Sequence, residues 1–172
     1  MKVLAGLLVG LALIGASVSP RVTRNNLVSL EKLTDTKVTQ LDNNSPAEVL
    51  GHTRGVYLEG YGVVFTAEVD PNPYAAPNPF RPQYTKADLD KLRLQKKARI
   101  DVLKKKMVES LVVMARGLEG VPANEQVVLA VTIPYWVWEN STGMPKQIMI
   151  QAPKSALLSS TGLEAALKVQ EF

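Results

Sequence analysis

The sequence predicts an exported α+β protein, in which an antiparallel sheet of about four strands carries one long amphipathic helix on one face, preceded by a signal peptide. Three observations predict it: a greasy amino terminus, short β-rich runs separated by Pro and Gly, and one uninterrupted helical stripe.

Met1 and Lys2 precede an almost unbroken apolar run, Val3 to Ile14, and then the small residues Gly15 to Ser19 before Pro20. A positive start, an apolar middle and a small-residue exit are what signal peptidase reads, with cleavage after Ala16 or Ser19. Residues 1–19 are therefore expected to be a signal peptide and 20–172 a single α+β domain. The apolar run is shorter than the roughly 20 residues of a spanning helix, so an uncleaved anchor is the alternative. The expected location is periplasmic or secreted, with membrane contact through the N-terminal segment alone if it stays uncleaved. The net charge of +4 falls by one when Lys2 leaves with the leader. A total absence of cysteine excludes disulfides, thiolate metal sites and a lipid-modified cysteine.

After the leader, Leu27, Leu30, Leu33 or Thr34, Val38 and Leu41 recur at helical spacing, which predicts a modest helix over Leu27 to Leu41. Val56 to Val69 is the strongest β signal, placing Tyr57, Glu59, Tyr61, Val63, Phe65, Ala67 and Val69 on one face. Gly60 and Gly62 interrupt it, as a hairpin turn or as a bulge in one bent strand, and the bent strand is the expectation. Five prolines between Asp70 and Pro82 predict a Pro-rich loop over 70–84.

Thr85, with Asp88 in the first turn, opens the clearest helix. Its stripe runs Leu89, Leu92, Ile100, Leu103, Met107, Leu111, Met114 and Leu118, about 100° wide. Lys96 falls inside that stripe, so the amino-terminal half is expected to reach past the core edge, or Lys96 to extend its charge to water. Gly117, Gly120 and Pro122 end the helix. Gln126 to Trp138 reads as a strand with two apolar faces, hence central, up to Ile133. Pro134 then removes a donor and places Tyr135-Trp136-Val137-Trp138 at an edge or beyond a bulge. The turn Asn140 to Gly143 returns the chain into a strand over Lys146 to Gln151, and the tail offers a short helix near Leu163 and a last strand over Ala166 to Phe172.

Chemistry is sparse. His52 is the sole histidine, and no Gly-x-Ser-x-Gly elbow accompanies it. No cofactor or metal is expected, since neither a phosphate cradle nor an Asp-rich calcium loop is present. Glu59 and Glu139, each among aromatic residues, form the acid pair that a carbohydrate hydrolase of the cell envelope would need. That mechanism requires them to flank one sugar. Arg93, Lys97 and Lys104 share one flank of the long helix, and with Tyr135, Trp136 and Trp138 they are the candidate binding residues. Nucleic acid is not expected as a partner of an exported chain. The expected role is therefore binding rather than catalysis, toward an anionic envelope lipid or polysaccharide or a protein. The alternatives are the hydrolase and a structural subunit of an envelope assembly, the last favoured by an edge beyond Pro134 open to strand addition.

Overall fold

The computed structural model describes residues 22–41, 46–73, 84–159 and 161–172. The expected leader and most of the Pro-rich loop, including Pro77, Pro79 and Pro82, lie outside the described residues.

Helix α1, Arg24–Thr39, starts at Thr23, whose hydroxyl accepts from the Asn26 amide. It precedes two short strands, β1 (Glu48–Val49) and β2 (Arg54–Leu58), and the longer β3 (Gly62–Asp70). Helix α2, Lys86–Gly117, leads to β4 (Gln126–Thr132) and β5 (Gln147–Pro153). Two short helices, α3 (Lys154–Leu158) and α4 (Leu163–Ala166), connect to β6 (Lys168–Glu171). The start of α2 is a capping box: Thr85 accepts from the Asp88 amide and Asp88 accepts from the Thr85 amide, as the Thr-x-x-Asp spacing allows.

The sheet has six strands and is mixed, not a four-stranded antiparallel one. β3 pairs with β4 in parallel, Val63 beside Val127 and Phe65 beside Leu129, whereas every other pairing is antiparallel. The reason is α2 itself. A crossover helix lets the chain return in the same direction, and parallel neighbours require such a connection. Residues 54–70 form a hairpin rather than the bent strand, with Leu58 opposite Gly62. Gly62, at φ +135°, has no room for a side chain: a Cβ would stand 1.9 Å from the Gln126 carbonyl oxygen. That close approach brings the hairpin tip against the first residue of β4.

Alternation then places Val63, Phe65, Ala67 and Val69 of β3, Val127, Leu129 and Val131 of β4, and Ile148, Ile150 and Ala152 of β5 in one core with Ile100, Leu103, Met107, Leu111 and Met114 of α2. α1 packs beside α2 and over β2. The opposite sheet face carries the exposed Val56 and Leu58. As the two apolar faces of β4 predict, this strand is central, between β3 and β5. The segment after Pro134 is therefore a loop at the end of a central strand and not a sheet edge. The edges are β1 and β2 on one side and β6 on the other.

Thirty-two residues make α2 about 48 Å long, about twice the length of a seven-residue strand such as β4. The helix must overhang the sheet. Its amino-terminal half is met by the loop between β4 and β5, and that meeting builds the site.

Candidate functional site

Lys96 sits where α2 leaves the sheet, and only 2% of its surface is exposed. Of the two sequence expectations, the overhang of the amino-terminal half holds, whereas the extension of Lys96 to water does not, because its ammonium is buried and fully engaged. It donates to the Pro134 carbonyl at 2.8 Å and to Glu139 Oε2 at 2.9 Å, pairs with Asp70 Oδ1 at 3.3 Å, and lies 4.6 Å above the Tyr135 ring. Three chain segments thus converge on one cation: the end of β3, the middle of α2 and the loop after β4. An isolated charge at this depth would be costly, and two carboxylates with a carbonyl and a π face offset that cost.

Around this centre the loop is folded tightly. The Glu139 amide donates to the Trp136 carbonyl at 2.9 Å, while the Trp136 amide donates to Glu139 Oε2 at 3.3 Å, closing a turn over 136–139. Tyr135 donates its hydroxyl to the Pro145 carbonyl at 2.8 Å, and Arg93 donates to the Thr142 carbonyl at 2.6 Å. Trp138 stacks on Tyr84 with ring centroids 5.3 Å apart. Burial first, then the charges of Glu139 and Asp70, push the Tyr135 phenol up to about 12. On the β3 side, Asp70 accepts from the Asn72 amide at 3.1 Å, and Arg99 donates to the Pro71 carbonyl.

Between α2 and the loop lies a small recess lined by Leu89, Leu92, Arg93, Lys96, Trp138 and Glu139, among others. Its free volume of about 10 Å³ is about the room for one water-sized group. Two of the residues lining it each carry a buried polar atom without a hydrogen-bond partner: the acceptor Glu139 Oε1 and the donor Arg93 Nε.

The same turn carries an apolar tip. Val137 is fully exposed and Trp136 is half exposed.

The structure therefore brings Arg93, Tyr135, Trp138 and Glu139 together on one recess, whereas Trp136 stands half exposed on the same turn and does not line it. It does not bring Glu59 to Glu139. Glu59 is exposed in the Leu58–Gly62 turn at one end of β3, whereas Glu139 shares Lys96 with Asp70 at the other end, about 26 Å along a nine-residue strand. The Arg93, Lys97, Lys104 row is also divided. Lys104 donates to Glu171 at 2.6 Å and Asp101 at 3.2 Å; partial burial opposes its charge, but these bonds outweigh it and hold its pKa above the ordinary value. Arg93 is turned into the recess, and Lys97 is exposed.

Sequence reasoning missed Asp70 as a partner of Lys96, and Lys154. The buried Lys154 ammonium donates to the Leu118 and Val121 carbonyls at 2.6 and 2.7 Å, just past the carboxyl end of α2. Sequence reasoning also missed the Arg24–Glu31 pair, which locks α1 onto β2: Glu31 accepts from Arg24 at 2.6 Å and from the Gly55 amide at 2.7 Å. A polar residue inside an apolar helical stripe was the available signal for Lys96 and Glu31 alike.

No family model, curated protein or solved structure matches this chain. Among the described residues, no group of three or more His, Asp or Glu is placed to hold a metal ion, and no helix is long and apolar enough to cross a membrane.

Proposed function

We propose that the protein is exported and acts by binding, docking on an anionic lipid surface through the tip of the loop after β4. The observation that carries this reading is Val137, fully exposed beside the half-exposed Trp136 on a turn whose base is held by Lys96, Glu139 and Tyr135. An apolar pair held out on a fixed turn costs solvation in the free protein and gains it back on burial. Tryptophan suits a bilayer interface, since its ring is apolar and its N–H remains hydrogen-bonded. Lys97, one helical turn beyond the loop contact made by Arg93, supplies attraction to acidic headgroups. Anionic lipid, Trp136 and Lys97 are already among the sequence expectations; Val137 and the held turn are what this reading adds. Export rests on the leader, with its small residues before Pro20.

Co-sedimentation with phosphatidylglycerol-containing vesicles tests the docking. Binding and a blue shift of Trp136 emission, measured in a Trp138→Phe background, are expected at low salt, and Val137→Asp should remove both. Absence of binding by the wild type, or equal binding by Val137→Asp, overturns the reading. For export, the protein produced from the full sequence in a bacterium should begin at Ser17 or Pro20. An intact Met1 on membrane-bound material would show an anchor.

A further inference from the structure

We infer that the recess between α2 and the 136–139 turn is a hydroxyl-binding site, taking one alcohol group of a polyol. The lipid source of that polyol rests on the docking reading above, whereas the recess itself does not.

Four observations converge. Glu139 Oε1 is an acceptor without a partner on a side chain only 8% exposed, since its other oxygen already serves Lys96 and the Trp136 amide. Arg93 Nε is a buried donor without a partner, since the guanidinium reaches Thr142 through a different nitrogen. Buried polar atoms are almost always hydrogen-bonded, so an unpartnered donor and an unpartnered acceptor on two residues lining one recess call for a group that supplies both complements. A hydroxyl donates to the carboxylate and accepts from the guanidinium N–H in one atom.

Charge and size exclude the other small groups. Two cations, Lys96 and Arg93, stand with two carboxylates, Asp70 and Glu139, so the cluster is already balanced and attracts no ion. A carboxylate or phosphate oxygen in the recess would face Glu139 Oε1, and an ammonium would face Arg93. The free volume of about 10 Å³ admits about one heavy atom beyond the rim. Leu89, Leu92, Tyr135, Trp138 and Met144, with Asn140, form the remaining wall, so the carbon bearing the hydroxyl meets a mainly apolar surface. Because the turn that supplies Glu139 also supplies Trp136 and Val137, a glycerol headgroup hydroxyl would lie beside the tip once the tip is in the interface.

Vesicles of phosphatidylglycerol and of phosphatidylethanol carry the same headgroup charge and differ in the free hydroxyls. The wild type should bind phosphatidylglycerol about tenfold more tightly, the scale of one hydrogen bond to a charged group. Arg93→Lys keeps the charge and removes Nε, and should bring phosphatidylglycerol binding down to the phosphatidylethanol level. Equal wild-type affinity for the two lipids overturns the hydroxyl site and leaves the docking reading standing. Failure to bind either lipid overturns the docking reading instead. The recess is then decided by titrating free glycerol while following the Arg93 Nε–H resonance: a saturable shift supports a free polyol as its ligand, and an unmoved resonance overturns the site.

Discussion

Lys96 and Glu139 meet at 2.9 Å with 2% and 8% of their side chains exposed, joining the helix that overhangs the sheet to the loop that covers the overhang. Asp70 is the third member, at 3.3 Å. Removing Lys96 leaves two buried carboxylates without the cation that contacts them both. Lys96→Met should therefore destabilise the protein by about 3 to 5 kcal/mol, the usual effect of breaking a buried pair from one side. Adding Glu139→Leu to Lys96→Met should restore part of that loss, because the pair is coupled and the two effects cannot add. Denaturant unfolding of the three variants measures both; additive losses would show that the two side chains do not interact.

The phenol of Tyr135 gives the same cluster a pH signature. Its folded-state value of about 12 lies above the ordinary tyrosine value of about 10, chiefly through burial and then through Glu139 and Asp70. The folded state thus holds this proton more firmly than the unfolded chain does. The contribution to stability is fully present below pH of about 10 and is lost as pH climbs through about 12. In an ultraviolet titration of the folded protein, Tyr135→Phe should remove a late-ionising tyrosine, and its alkaline loss of stability should be shallower than that of the wild type.

Core and surface positions on α2 should separate cleanly. Leu103 is fully buried against the sheet and Lys105 is exposed. Leu103→Ala should cost about 2 to 5 kcal/mol, from lost burial and the cavity left behind. Lys105→Ala should stay within about 0.5 kcal/mol. Equal effects in thermal unfolding would mean that the helix is rotated from the orientation described.

How far the sequence was legible follows from the range over which each signal acts. The Thr85 cap and the stripe are local; the cap appears as read, and the stripe joins the core from Ile100 to Leu118, while Leu89 and Leu92 line the recess on the overhang. Strand pairing is not local. The apolar runs at 62–70 and 126–132 are alike whether they pair parallel or antiparallel, and only the 32-residue helix between them, read as a crossover, distinguishes the two. The hairpin at Leu58–Gly62 was likewise hidden, because Gly60 and Gly62 fit a bulge and a turn equally well. For the site, Glu139, Tyr135, Trp138 and Arg93 were legible as residue types, and Lys96 as a misfit in its stripe. What joins them was not, since Asp70 and Glu139 lie 26 residues before and 43 residues after Lys96 and meet only through the fold.

The basic row on α2 yields the last prediction, because the structure assigns its members different tasks. Lys104 is held by Glu171 of β6 and by Asp101, so Lys104→Glu places a third carboxylate against those two. That reversal should lower stability by about 1 kcal/mol, the scale of a partly exposed pair, and loosen the β6 edge. Lys97 is exposed, and Lys97→Glu should leave unfolding within about 0.5 kcal/mol of the wild type. Its effect should fall on vesicle binding instead. Attraction between an exposed lysine and acidic headgroups is screened beyond about 10 Å at 0.1 M salt, so the difference between Lys97→Glu and wild type should shrink as salt rises. Lys105→Glu makes the same change in net charge elsewhere on the helix and is the matched control. If Lys97→Glu and Lys105→Glu weaken vesicle binding equally at low salt, overall charge governs the attraction and Lys97 holds no special place beside the Trp136–Val137 tip.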